Sequence, residues 1–172
     1  MIDFFKDEIE INAGHFGICD NTVPGVKQPA YVDSDIENKD KWIAVVSNSS
    51  KTPVYFNPID NNIEIKRENG EMENRCDALL HNSNWIAFIE LKAQRSDWIK
   101  RAVEEQLATT INVFKQNHDI SKFRHRYAYA CNRLKPHFAY SHKIYMQQFY
   151  DTHGVRLVIV RDIDVKKEAG GN

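Results

Sequence analysis

At 172 residues, 42% hydrophobic and 27% charged, the chain is long enough to bury a core and has the balance of an ordinary soluble protein. A formal net charge of −1 excludes a uniformly basic nucleic-acid binder. Three distant cysteines, Cys19, Cys76 and Cys131, with no CxxC spacing, argue against a disulfide framework or a zinc ribbon.

No apolar run reaches membrane-spanning length, and the acidic start MIDFFKDEIEI does not read as a signal peptide. The expectation is one cytoplasmic domain over residues 1–172, with a frayed tail at 166–172. Charge is unevenly spread. Residues 1–40 hold three basic and nine acidic residues, a net of −6, whereas residues 115–143 hold seven basic and one acidic, a net of +6. That second segment can form a locally basic face for a polyanion or an ordinary solvated surface.

In chain order, Ile2, Phe4, Phe5 and Ile9 predict a short helix over residues 2–12, with Glu8 on or near its apolar face. Residues 18–40 carry Pro24, Gly25 and Pro29 and read as irregular, with DSDIENKDK a polar turn or short helical segment. Trp42 to Ser47 reads as a strand, Val54 to Phe56 as a short strand and Asn62 to Lys66 as an edge strand. Two apolar runs follow, Arg75 to His81 and Trp85 to Lys92, joined by a turn at Asn82-Ser83-Asn84. Both faces of the second run are apolar until its end, the pattern of a central strand covered on both sides. Residues 96–117 predict an amphipathic helix with the stripe Ile99, Ala102, Val103, Leu107, Ile111 and Phe114, capped by Ser96 or Asp97. Arg124 to Asn132, closed by Pro136, and Val155 to Val160 read as strands, with a weak helical pattern over 137–153. The order strand, helix, strand predicts a βαβ crossover in a mixed sheet, an α/β fold.

The carboxylates of Asp77 and Glu90 sit in runs too apolar to bury charge without partners or a task. A two-residue Ser83-Asn84 loop sets Asp77 opposite Glu90; a three-residue loop puts them on opposite faces. In the first register the pair offers two oxygen ligands to a hard divalent cation, and the Leu91 backbone carbonyl offers a third. Lys92 points to the same side as Glu90, where a protonated amine can orient an attacking water or stabilise charge on a phosphate. Gln106 lies along the helix stripe, either as a satisfied structural amide or as a group aimed at this site. ExK spacing alone carries little: Glu64-Ile65-Lys66 after Asp60 and Glu37-Asn38-Lys39 have it without the flanking apolar strands.

Asp77 in RCDALL, and Glu90-Leu91-Lys92 in FIELKA thirteen residues later, resemble the motif of the PD-(D/E)xK nuclease superfamily, the restriction-endonuclease-like fold. Gln106 in EEQL matches the helix glutamine of some branches, and Cys76 stands where the nominal motif has proline. The resemblance covers residues 74–132 well and the N-terminal helix more loosely. It implies a restriction-endonuclease-like mixed β-sheet flanked by helices. It further implies a Mg2+-dependent nuclease, with Mn2+ able to substitute, in which Asp77 and Glu90 hold metal and Lys92 is catalytic. Glu8 would stand for the additional helix carboxylate that some members use. The expected substrate is nucleic acid, DNA in preference to RNA, with the chain acting as a homodimer or within a larger nuclease assembly. Arg95, Lys100 and Arg101 follow the motif and are candidates for phosphate contacts.

The rival expectations are a catalytically inactive module of the same fold, serving as a nucleic-acid-binding or protein-interaction subunit, and an unrelated α/β protein with a structural ion-pair cluster. His118 with His125 and His137 with His142 are weaker ligand candidates. Tyr127, Tyr129, Tyr140 and Tyr145 lie among the basic residues and are candidates for base stacking, with burial the stronger explanation for the first two. No GxSxG, HExxH or P-loop pattern occurs.

Overall fold

A strand apolar on both faces must be covered on both faces, and the computed structural model supplies both covers. It describes residues 1–21, 23–134 and 140–165. The strands are β1 (Ile9–Ile11), β2 (His15–Cys19), β3 (Tyr31–Asp33), β4 (Ala44–Ser47), β5 (Val54–Pro58), β6 (Ala78–His81), β7 (Trp85–Lys92), β8 (His125–Asn132), β9 (Arg156–Val160) and β10 (Asp162–Asp164). Helix α1 begins with a π-helical stretch, Arg101–Leu107, and continues as an α-helix over Ala108–Asn117; α2 is Tyr140–His153.

A six-stranded sheet runs β1-β5-β6-β7-β8-β9, antiparallel from β1 to β7 and parallel from β7 to β9. A four-stranded sheet runs β10-β4-β2-β3. The expected mixed-sheet α/β class is present, with β7, α1 and β8 forming the expected crossover. Side-chain alternation sorts the strands into two cores. Leu79, Ile86, Phe88, Ala128 and Leu157 face the helices and pack with Val103, Leu107, Ile111, Phe114 and Phe149. Leu80, Ala87, Ile89 and Tyr129 face the smaller sheet and pack with Phe16, Ile18, Ala44, Val46 and Ile163. The helix stripe falls as its spacing predicts.

Several expectations are corrected. Residues 2–12 are not a helix: a turn at 4–7 leads into β1, which pairs antiparallel with β5. Asp7 adopts φ 55°, which no right-handed helix passes through. The turn is fixed by long-range bonds instead: Ile2 N–H donates to Asn117 Oδ1 at 2.8 Å, and Phe4 is fully buried beside Phe114. The i, i+4 pair Phe5 and Ile9 was a coincidence of spacing. Asn62 to Lys66 is not a strand; it is a loop that drops Ile63 and Ile65 into the helix-side core, with a lone bridge from Lys66 to Met72. Neither Ser96 nor Asp97 caps α1; Asp97 takes φ 58° and the helix opens with Ala102 N–H on Trp98 C=O.

The segment expected to be irregular contains β3 and the end of β2; its DSDIENKDK stretch does form the expected short helical turn, a 3-10 turn at Ile36–Lys41 capped by Asp35. Gly17 hid β2, since glycine weakens a strand pattern. Its role is steric: a Cβ built there would meet Trp42 Cγ at 2.0 Å, because the buried indole lies flat on the strand. Strand β10 was also missed, being three residues with only Ile163 inward. The expected tail at 166–172, Pro136 and His137 lie outside the described residues.

Gly17→Ala must displace the Trp42 ring, and overpacking of this kind costs about 1–3 kcal/mol. Urea unfolding should show a lower midpoint with an unchanged slope.

Candidate functional site

The β6–β7 hairpin settles the register on which the site depends. Ala78 pairs Ile89, Leu79 pairs Phe88, Leu80 pairs Ala87 and His81 pairs Ile86, with Asn82 N–H on Trp85 C=O at 2.9 Å. This is the two-residue Ser83-Asn84 loop. One more step along that register sets Asp77 beside Glu90, on the face toward α1. The ladder breaks there. Asp77 N–H donates to Ile89 C=O at 3.0 Å, although Ile89 already pairs with Ala78, the two-against-one count of a β-bulge. The Asp77 carboxylate then accepts the Leu91 N–H at 2.7 Å, a donor that an unbroken ladder would have spent on backbone.

Glu90 is 1% exposed. One of its oxygens, Oε1, takes Lys92 Nζ at 2.6 Å; Oε2 has no donor. Burial, followed by the charge of Asp77, pushes the Glu90 carboxyl well above the usual range, against the pull of Lys92. Burial likewise raises Asp77 to about 7, opposed mainly by the Leu91 N–H, with the negative charge of Asp20 adding to the rise. Two carboxyls held this close in a dry site resist being ionised together, and a divalent cation relieves that conflict.

Lys92 Nζ also donates to Gln106 Oε1 at 2.8 Å. Gln106 lies in the π-helical stretch of α1, where the wider turn alters which residues the helix presents to the sheet. Thr110 secures the helix to the strand: its hydroxyl donates to Gln106 C=O at 2.7 Å and accepts Cys76 N–H at 2.8 Å. Asp77, Glu90, Lys92 and Gln106 are therefore brought together. Leu91 lies between them; its N–H is on Asp77, and an extended residue projects its C=O to the same side. Arg95, Lys100 and Arg101 are exposed just beyond the end of β7.

Glu8 is not brought to this site. Its carboxylate is 2.8 Å from His81 Nε2, four residues along β6 from Asp77, or about 13 Å of strand. Among the weaker histidine candidates, His118 is engaged elsewhere. His118 Nε2 lies 3.0 Å from Ile2 C=O and 3.3 Å from Phe4 N, a structural tie between α1 and the N-terminal turn. The Glu64–Lys66 decoy is a solvent-exposed ion pair at 3.1 Å.

Sequence reasoning missed Thr110, Asp20 and the pair Arg75–Asp60, joined at 2.9 Å beside Asp77. Asp20 directly follows β2 of the other sheet, so no local pattern links it to Asp77. Thr110 was legible only as a hydroxyl one helical turn from Gln106 on a buried stripe.

The protein is thus a mixed-sheet α/β protein with a buried carboxylate pair and a lysine at the end of a central strand. No family model, curated protein or solved structure matches the chain.

A carboxyl whose folded-state pKa is raised binds a proton that the unfolded chain has lost, so stability falls as pH rises between the two values. For metal-free protein, Asp77 should cost roughly 3–4 kcal/mol at pH 8 relative to pH 4. Asp77→Asn in EDTA should therefore melt higher than the parent at pH 8, with the difference closing toward pH 4. Thr110→Val strands the Cys76 N–H and should destabilise by about 1–3 kcal/mol in denaturant unfolding.

Proposed function

We infer that the protein is a metal-dependent nuclease that hydrolyses phosphodiester bonds, DNA in preference to RNA, with the restriction-endonuclease-like arrangement that its sequence resembles. The observation that carries this reading is Glu90 Oε2, a buried carboxylate oxygen without a donor next to the Asp77 carboxyl. Such an oxygen is costly unless the carboxyl holds a proton or something cationic faces it, and a divalent cation would take the place of that proton.

The donor set fits a hard cation. Asp77, Glu90 and the Leu91 carbonyl are all oxygen ligands, suited to Mg2+ or Mn2+. A bound Mg2+ would lower the pKa of a coordinated water and offset charge on the phosphate. The chain's own groups do the rest. Glu90 keeps Oε1 on Lys92, which leaves Oε2 as the oxygen that would hold a cation. Gln106 holds the Lys92 amine at the rim of the pair, where it can hydrogen-bond an incoming water or a phosphate oxygen. Arg95, Lys100 and Arg101, exposed in the segment that follows β7, are the candidates for contacts to flanking phosphates. A duplex substrate calls for two such sites, supplied by a homodimer or a larger assembly.

Supercoiled plasmid, linear duplex, single-stranded DNA and RNA should be incubated with Mg2+, Mn2+ or EDTA. Cleavage should require metal. Asp77→Ala and Lys92→Ala should each lower the rate by about a hundred-fold or more, the scale of losing one transition-state contact. Metal-independent cleavage, or variants as active as the parent, would refute the assignment. Binding without cleavage would instead assign the chain as a non-catalytic module.

A further inference from the structure

The basic segment noted in the sequence does not gather around the carboxylate pair. Strands β7 and β8 are parallel, with Lys92 beside Asn132 and Ile86 beside Arg126. Arg126 is therefore six residues, or about 20 Å, from the Lys92 end of the sheet. At that far end a recess of about 80 Å³ is lined by Arg124, His125, Arg126, Tyr127, Tyr150 and Arg156. Arg124 and Arg126 reach it at the start of β8, Arg126 on the helix-side face beside Ile86, and Arg156 reaches it from β9, paired with Tyr127 on the smaller-sheet face, so the recess wraps the edge of the sheet.

Among the described residues, no carboxylate lines the recess. Among the described residues, the guanidinium groups of Arg124, Arg126 and Arg156 have no ion pair and no side-chain hydrogen bond. Their gathering is not explained by capping of α2, because that task falls to Lys115, whose amine donates to the His153 carbonyl. Positive charges are crowded here: burial and then the neighbouring Arg126 hold the Lys115 amine below its ordinary range. Arg124 and Arg156 are exposed and Arg126 is half-buried, so an anion entering the recess would meet three cations and offset their mutual repulsion.

The recess continues into a groove of about 700 Å³ along β9 and α2, lined in part by Lys143, Gln147 and Tyr150, with Tyr150 47% exposed. Tyr127 stacks on Tyr129 at its edge, with centroids 5.6 Å apart. That is more room than one phosphate needs, and forked guanidiniums beside aromatic faces suit a phosphodiester chain. We propose that this recess and groove form a second nucleic-acid site, in which Arg124, Arg126 and Arg156 grip backbone phosphates remote from the Asp77–Glu90 pair. It rests on the nuclease reading only for the polymer's relevance; the phosphate chemistry stands without it.

The test is fluorescence anisotropy of a fluorescein-labelled 20-base-pair DNA duplex in EDTA, across a salt series, so that cleavage plays no part. The parent protein should bind it. Arg126→Ala with Arg156→Ala should weaken Kd by about ten-fold at 50 mM salt and flatten the log Kd against log salt slope by about 2, one unit per lost phosphate contact. The matching pair of Arg→Lys changes should keep most of the slope, and Arg124→Glu, in an exposed approach, tests the site if the alanine pair does not fold. An unchanged Kd and slope in folded variants would overturn the site, as would absence of duplex binding by the parent. Arginine-dependent thermal stabilisation by inorganic pyrophosphate, without duplex binding, would overturn the polymer assignment. Arginine-dependent binding without cleavage therefore sinks the nuclease reading alone, and cleavage with unaltered binding in the arginine variants sinks this site alone.

Discussion

The structure depends on one unsettled charge: a glutamate buried at the end of a central strand, with a partner for one oxygen and none for the other. Burying an ionised carboxylate costs several kcal/mol unless its lone pairs are matched. The surrounding fold does not remove the cost. It places a second carboxyl beside the first, which raises it, and then braces the lysine that relieves it with a glutamine from α1. A protein selected for stability alone would fill this position with an apolar residue.

Holding that arrangement needs rigidity on both sides of the sheet. The smaller sheet covers one face of β7 and α1 covers the other, so Glu90 cannot swing into water. The bulge at Asp77 frees the Leu91 N–H from the ladder and turns it to a side chain, a device that re-aims a group at the end of a sheet. The π-helical stretch has a comparable effect in α1, and Thr110 couples the two irregularities through the Cys76 N–H. The bulge and the π-helical stretch thus both border the carboxylate pair.

The distribution of cations follows a different logic. The carboxylate end of the sheet has Lys92 inside and exposed basic residues at its rim, whereas at the opposite end arginines line a recess in which, among the described residues, no carboxylate takes part. A chain with a net charge of −1 thus separates its charges along the strands of one sheet. Any polyanion that approaches meets local fields, not an overall attraction.

Local pattern determined much of this. The apolar periodicity of Trp85–Lys92 specified a doubly covered strand, the stripe from Ala102 to Phe114 specified the face of α1, and the spacing of Asp77, Glu90 and Lys92 marked the candidate site. These features are written in neighbouring residues, where period 2 and period 3.6 leave a readable trace. The tertiary structure alone decided the hairpin register, which of two loop lengths applied, and so whether the carboxylates met. It turned Glu8 to His81, because the predicted helix gave way to an edge strand fixed by contacts more than a hundred residues away. It brought Asp20 and Thr110 toward Asp77 and sent the arginines to the other end. Those outcomes follow from pairing between distant segments, where the free energy of burial outweighs local propensity and leaves no local mark in the chain.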